Sequence, residues 1–505
     1  MIRIYDTKQR KKVDFEAVEK GKVGIYVCGP TVYNYIHIGN ARTFISFDII
    51  RRYFAWRGFE VTFVQNITDV DDKIIAKAEE EGCSAAEVAQ DYTQAFIADM
   101  HAAGVGDPDI RPKATEEIES MVALIQELID AGHAYEVSGD VYFAVRSFDE
   151  YGQLSGRNVD EMESGHRELR AQDCGIDARK CDPLDFAVWK AAKPGEPSWE
   201  SPWGQGRPGW HIECSAMSRK YLGLPFDIHG GGADLVFPHH ENERAQSEAV
   251  GEGTFARYWM HGGMLQVNAE KMSKSLGNFK LLRDVLEVTD SLVLRMLMLQ
   301  THYRSPLDFS DERLSEAETA LGRMVNALTN LEWVMKNAAE NADADAGVLP
   351  PLDKILVEEQ TRELYRAFVV AMDDDINTAE ALGVIFGFVG NLNTWLAGAH
   401  VTQGDVAILA NTRRVLLELM GVFGIDLADK IAQDSSSNLP DEVLILAQDI
   451  AGFDGQDKSE AVKALLACRE TARATKDWAA ADSVRDGLLA LGLKIEDTPQ
   501  GTRVL

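Results

Sequence analysis

The residues best suited to chemistry fall between Gly209 and Glu243. The chain reads Gly-Trp-His-Ile-Glu-Cys at Gly209–Cys214, Phe-Asp-Ile-His-Gly-Gly-Gly-Ala-Asp at Phe226–Asp234, and Phe-Pro-His-His-Glu-Asn-Glu at Phe237–Glu243. A thiol, several imidazoles and several carboxylates thus share one supersecondary unit. Pro238 suits the first turn of a helix, where its missing N–H is not needed. His239 and Glu243, four apart, then stand on one helix face and reach one ion together. Thiolate, imidazole and carboxylate donors suit Zn²⁺. Spacing alone leaves other readings open: Cys214 as buried packing, or His211 with Cys214 as the metal pair.

Two further stretches could meet phosphate. In Tyr35-Ile36-His37-Ile38-Gly39-Asn40-Ala41, His37 can donate at a positive helix N-terminus and Gly39 lets a ligand approach the backbone. Alone, the pattern is weak, since a turn histidine is more often merely solvated. In Lys271-Met272-Ser273-Lys274-Ser275-Leu276-Gly277-Asn278, two lysines and two hydroxyls suit a mobile phosphate clamp, against the plainer reading of a solvated basic turn. Gly204–Gly209 is formally G-x-G-x-x-G, but it follows Ser-Pro-Trp rather than a strand and contains Pro208, so it is not a dinucleotide fingerprint.

The elements that must carry these residues begin with a strand at Val23–Cys28, a helix at Ala41–Trp56 and a strand at Glu60–Thr68. This βαβ unit implies a parallel sheet with a right-handed crossover. Such sheets bind ligands at the carboxyl ends of their strands, where Cys28 and Thr68 fall. Ile118–Glu200 reads as a helix, a hairpin around Ser138-Gly139 and polar loops inserted between two halves of the sheet. Cys174 and Cys181, within it, carry no chemical signal. Phe255–Val267 reads as one more strand. Beyond Ser310 the periodicity is helical, with breaks at Gly347–Pro351 and Asp434–Pro440, a loose loop at Ala339–Ala346 and a polar helix junction at Val370–Thr378. Ala461–Leu505 recovers basic residues: Lys463, Arg469, Arg473, Lys476, Arg485, Lys494 and Arg503.

A chain of 505 residues exceeds one core, so three or more packing units are expected. Met1–Arg10 has no apolar run of the secretory kind, and no stretch reaches the roughly 20 apolar residues of a membrane helix. Six scattered cysteines (Cys28, Cys83, Cys174, Cys181, Cys214, Cys468) form no disulfide framework, so a reduced, cytoplasmic setting is expected. The net charge of −30 argues against loose, charge-driven binding of nucleic acid and restricts any polyanion to local basic surfaces.

Taken together these pieces resemble a class I aminoacyl-tRNA synthetase, specifically the cysteinyl-tRNA synthetase family, from the first strand to Glu496–Thr502. Lys271–Ser275 is the family's Lys-Met-Ser-Lys-Ser loop unchanged. His37–Asn40 corresponds to its His-Ile-Gly-His motif with Asn40 in the last place, where an amide can still donate. Cys28, Cys214, His239 and Glu243 resemble the family's zinc site residue by residue. The resemblance implies an α/β fold: a Rossmann-like parallel-sheet catalytic domain with an inserted connective domain, then a C-terminal all-α bundle and a small anticodon-binding domain. The corresponding ranges are 1–117 and 201–260 for the two catalytic halves and 118–200 for the insertion. They continue as 261–310 for the clamp loop and stem-contact region, 311–435 for the bundle and 436–505 for the anticodon end.

By the same resemblance, the chain activates L-cysteine with ATP to cysteinyl-adenylate and transfers it to the terminal adenosine of tRNA(Cys). His37, Asn40, Lys271 and Lys274 would do the electrostatic work, with Mg²⁺ on the ATP. Gly39, Gly230, Gly231, Gly232 and Asp234 would line ATP and the adenylate. Gly29, Thr68, Trp210 and His229, with Cys28, would form the amino-acid pocket. One Zn²⁺ per subunit would select a thiol over the serine hydroxyl, without a separate editing domain. A monomer without membrane contact is expected. Two rivals are weighed. A cysteine:amino-sugar ligase shares the activation step but needs no long C-terminal extension. A non-catalytic paralogue would be free to lose metal ligands or clamp lysines.

Overall fold

The computed structural model describes the whole chain except residues 159–178, 252, 269, 272–278, 339–348, 429, 432–438, 499–500 and 505. It packs as two units: Met1–Thr319 with Val369–Leu382 and Val422–Gly424, and Ala320–Phe368 with Gly383–Gly421 and Ile425–Leu505.

The first unit opens with a hairpin of β1 (Arg3–Asp6) and β2 (Lys11–Asp14). The expected βαβ follows as β3 (Lys22–Val27), α1 (Ile38–Trp56) and β4 (Glu60–Gln65), with β3 and β4 parallel from Lys22↔Glu60 to Val27↔Gln65. Ile25, Tyr26 and Val27 are fully buried, as a strand covered on both faces requires. Helices α2 (Asp72–Glu81), α3 (Ala85–Ala102) and α4 (Ile118–Asp130) come next.

The insertion is an antiparallel sheet in the order β5-β6-β7-β8, built from β5 (Ala134–Val137), β6 (Asp140–Phe143), β7 (Phe186–Ala191) and β8 (Gly206–Pro208). Ser138 and Gly139 turn the hairpin with φ of 55° and 87°, the two positive values its tight twist favours. The formal glycine pattern supplies edge strand β8, where Pro208 costs no ladder bond. Cys181 is exposed, and Cys174 lies outside the described residues.

Helix α5 (Trp210–Leu222) leads into β9 (Phe226–Gly232), and helix α6 (Glu241–Val250) into β10 (Ala256–Gly262). These complete a four-stranded parallel sheet in the order β10-β9-β3-β4. Pro238 stands at the start of the helix as expected: Phe237 before it is extended, as X-Pro sterics favour, and His240 is already helical at φ −68° and ψ −33° ahead of the regular turns of α6. One expectation changes here. Phe255–Val267 is not one strand. It breaks at Gly263, where a Cβ would lie 2.4 Å from the Arg304 carbonyl oxygen. The chain then enters a second sheet of β11 (Leu265–Val267), β12 (Glu270–Lys271) and β13 (Leu307–Phe309), ordered β12-β11-β13.

Helices α7 (Leu282–Val288), α8 (Ser291–Leu299), α9 (Asp311–Lys336), α10 (Lys354–Asp373), α11 (Thr378–Ala397) and α12 (Val406–Val422) account for the helical periodicity. The polar junction between α10 and α11 is built around the buried Asp375. Asp375, at φ 71°, accepts from the Tyr5 amide at 2.7 Å, the Tyr303 hydroxyl at 2.8 Å and Arg304 Nε at 2.7 Å. The expected loop at Ala339–Ala346 lies outside the described residues.

In the second unit, α13 (Glu442–Ala451), α14 (Lys458–Ala474) and α15 (Trp478–Ala490) enclose Val443, Ala447, Leu465, Val484 and Leu488, followed by a hairpin of β14 (Ile495–Thr498) and β15 (Gly501–Val504). Several of its basic residues serve the fold. Arg469 donates to both Asp497 oxygens, at 2.7 and 3.0 Å, and Arg473 adds a third bond at 2.7 Å. Lys463 pairs with Glu460 and Arg485 with Asp482. Among the described residues no helix is long and apolar enough to cross a membrane.

Candidate active site and metal centre

The carboxyl ends of β3, β9 and β10 open into a cleft of about 420 Å³. Cys28, Gly29 and His37 line it from the segment joining β3 to α1, and Gly39 and Asn40 from the first turn of α1. Trp210, Gly232, Asp234 and Gly262–Leu265 complete the wall.

His37 is the N-cap of α1. Its Nδ1 accepts from the Asn40 amide N–H at 3.1 Å, while Asn40 Oδ1 accepts from the His37 N–H at 3.3 Å. This reciprocal capping box satisfies two orphan donors at the helix start. With Nδ1 accepting, the hydrogen bond assigns the neutral ring's proton to Nε2. Asn40 therefore does two jobs: its oxygen caps the helix, and its NH₂ remains a donor for a ligand. The sequence suggested only the second.

The metal-type residues meet beneath the cleft. Cys28 follows β3, Cys214 comes from α5, His239 from the turn after Pro238 that leads into α6 and Glu243 from α6, and all four are buried. Cys28 Sγ lies 3.6 Å from Cys214 Sγ and 3.4 Å from Glu243 Oε1, and His239 Nε2 lies 3.0 Å from Glu243 Oε1. Among the described residues, two four-residue sets bring their donor atoms within 4.8 Å of one another: Cys28, Cys214, His239, Glu243, and Cys28, His229, His240, Glu243. The first fits zinc better. It offers two sulfurs, and His239 has its other ring nitrogen 2.9 Å from His211 Nδ1, the outer contact that orients a zinc imidazole. In the second set, His229 Nδ1 is buried without a hydrogen-bond partner. His211 belongs to neither set; it stands behind His239.

The electrostatics suit a dication. Burial opposes charge on Glu243, yet His229 and His239 hold its carboxyl well below the usual range. Burial pushes the Cys214 thiol up, but the hydrogen bond from Cys28 and the nearby His239 bring it down to about 6. Cys28 keeps its proton, raised by burial and then by Cys214. Burial works against charge on His239, and Glu243 raises it to about 10. Two adjacent anionic donors in a dry interior are a strong cation trap.

Other expected site residues do not face the cleft. Thr68 is buried below it and donates to Glu213 Oε2 at 2.6 Å. His229 is buried as well, stacked on Trp259 at 4.6 Å with Nε2 2.7 Å from Glu243 Oε2. Gly230 and Gly231 are packing glycines: added Cβ atoms would come within 2.2 Å of the Phe47 ring and 2.8 Å of His240 Cε1. Trp210 does line the cleft and stacks on His239 at 4.1 Å, so it bridges the cleft and the candidate metal cluster. Lys271 ends β12, opposite Gln266, and Lys274 lies outside the described residues. Sequence reasoning missed Glu213, fully buried with Oε1 unpartnered and its carboxyl raised by burial. It also missed His240, although the doubled histidine at His239–His240 was a signal.

Solved structures share this architecture. The Mycobacterium tuberculosis methionyl-tRNA synthetase in complex with methionyl-adenylate has a TM-score of 0.59 at 18% identity, covering 81% of this chain and 93% of its own. A LeuRS–tRNA–LeuAMS ternary complex from Agrobacterium radiobacter K84 has a TM-score of 0.60 at 13% identity, covering 84% and 86%. The fold is that of a class I aminoacyl-tRNA synthetase. Residues 14–319 match the family described as the tRNA synthetases class I (C) catalytic domain, 367–428 the DALR domain and 456–504 the cysteinyl-tRNA ligase anticodon binding domain. The cysteine–tRNA ligases of Desulforamulus reducens and Carboxydothermus hydrogenoformans are each 48% identical, over 99% of both chains. The chain belongs to the cysteine–tRNA ligase family.

Proposed function

We propose that the cleft carries out cysteine activation and transfer with the residues described above. The observation that carries this reading is the buried Cys28–Cys214–His239–Glu243 cluster directly below a cleft whose wall holds the capped His37–Asn40 pair.

ATP phosphates would meet the positive end of α1, where His37 Nε2–H and the Asn40 amide donate. Gly232 and Asp234 would line the adenylate. The cysteine carboxylate attacks the α-phosphorus and the bond to pyrophosphate breaks, so charge grows on oxygens that His37, Asn40 and the lysines of Lys271–Ser275 neutralise. In the second step a ribose hydroxyl of the terminal tRNA adenosine attacks the acyl carbon and AMP leaves. Cys28, Cys214, His239 and Glu243 would hold zinc, which when bound would take the substrate sulfur as a thiolate. Trp210 covers the His239 ring from the cleft side, and His211 holds its far nitrogen. Magnesium would accompany ATP.

Cysteine-dependent pyrophosphate exchange, run beside charging of total tRNA, tests this reading. Absence of both activities from zinc-loaded protein would sink it. Asn40→Asp separates the two jobs of that residue. Its carboxylate keeps the cap, so the melting temperature should hold, but it replaces a phosphate donor with negative charge. Exchange should fall by about 10²–10³-fold. A well-folded Asn40→Asp enzyme with wild-type exchange would remove Asn40 from the phosphate site.

The match at 456–504 supports tRNA reading by the C-terminal end. The local basic residues support it less than their number suggests, since four are engaged within the unit. A cut at Ala461 would strip Val443 and Ala447 of their core partners, so deletion should remove 439–505 whole. Exchange should survive, and charging efficiency should drop at least about tenfold, roughly 1.4 kcal/mol of lost interaction. Undiminished charging would make the segment a structural tail.

A further inference from the structure

The side chain of Arg42, 2% exposed, has no carboxylate partner among the described residues. A buried guanidinium without a counterion is costly, and burial lowers its pKa to about 10. Its donors go instead to main-chain carbonyls of two separate segments. Nη1 donates to Gly263 O at 2.9 Å and Met264 O at 2.7 Å. Nη2 donates to His302 O at 3.4 Å, Tyr303 O at 3.5 Å and Ser305 O.

The position of those carbonyls gives the contact a purpose. Gly263 and Met264 line the cleft and enter β11, whose antiparallel partner β12 ends at Lys271. Residues 302–305 enter β13, paired to the other edge of β11 at Leu265↔Leu307. Arg42 itself stands five residues, roughly 7.5 Å of helix rise, after His37. One side chain thus ties the helix that presents His37 and Asn40 to the strands that lead to Lys271. An apolar residue of equal volume would fill the space more cheaply, but it would leave five carbonyls without that link.

We propose that Arg42 is a positioning residue for the activation step, keeping β11 and β12, which ends at Lys271, in register with His37 and Asn40. This rests on the activation chemistry proposed above. Misplacement by about 1 Å can cost about 10²-fold, so Arg42→Lys, which keeps the charge but loses the fork, should lower the rate of pyrophosphate exchange by about that factor. The Michaelis constant for cysteine and the zinc content should not move, because the metal ligands lie on other elements. The decisive measurement is a double-mutant cycle with Lys274→Ala. If Arg42 acts through the strands that lead to the proposed clamp lysines, Arg42→Lys should cost little more once Lys274 is gone. Two full, additive losses would overturn the proposal and leave Arg42 a folding staple, as would an Arg42→Lys enzyme with normal exchange. Normal exchange by Lys274→Ala alone would overturn the clamp reading and this proposal together. If Arg42→Lys does not fold, Arg42→Gln, which retains amide donors for the carbonyls, takes its place in the same cycle.

Discussion

Lys274→Ala is expected to lower cysteine-dependent pyrophosphate exchange by about 10²–10³-fold, roughly 3–4 kcal/mol of transition-state stabilisation, while zinc content and cysteine binding stay near wild type. The cause is differential. The α-phosphorus gains an attacking oxygen and loses pyrophosphate, so negative charge shifts onto oxygens a lysine can reach only as the reaction proceeds. An interaction made in the transition state and not in the ground state appears in the rate rather than in substrate affinity. The residues proposed to hold cysteine stand elsewhere, after β3 and on α5 and α6. Exchange at the wild-type rate would show that Lys271–Ser275, despite its exact family spelling, is not the clamp. A loss confined to the Michaelis constant for ATP would make it a ground-state binder.

The second large effect concerns serine. Serine differs from cysteine by one atom and is slightly smaller, so bulk cannot exclude it; a methylene-sized difference yields only about 1–3 kcal/mol. Sulfur and oxygen differ far more as metal ligands, since a coordinated thiol ionises readily and is the softer donor. Serine activation is therefore expected to run at least about 10⁴-fold below that of cysteine, the range reached when a site is built around one functional group. Metal analysis should find about one zinc per chain. With cobalt in place of zinc, adding cysteine should produce a sulfur–metal charge-transfer band, and serine should produce none. Cys214→Ser should lose metal and cysteine activation together, because it replaces the ligand whose thiolate form the site favours. If cysteine is activated yet leaves the cobalt spectrum untouched, the metal only pins β3 to α5 and α6, and selectivity needs another source.

Much of this was written locally. The parallel βαβ unit follows from an apolar strand, a helical period and a second strand, and the hairpin at Ser138-Gly139 from two residues that tolerate positive φ. The His37–Asn40 and Lys271–Ser275 strings stand out in the sequence because their residues are chain neighbours. Family membership follows from the same strings. The sequence did not show that Asn40 and His37 cap each other, because a cap depends on where the helix actually starts. It placed that start at Ala41, three residues late.

Tertiary structure alone decided the rest. Cys28 and Glu243 are 215 residues apart, yet Sγ and Oε1 approach to 3.4 Å because β3 and β9 are sheet neighbours and α6 follows β9. Residue type could not separate wall from floor. Thr68 and His229 are polar and stand near strand ends, but one is committed to Glu213 and the other to Glu243, both underneath the cleft. Gly230, Gly231 and Gly232 are identical letters in a row. The pleat turns the first two against Phe47 and His240 and leaves the third in the cleft wall. Arg42 reads in sequence as an ordinary helical arginine. Only the packing of Gly263 and residues 302–305 around its guanidinium makes it a tie, since the carbonyls it holds belong to segments more than 200 residues away.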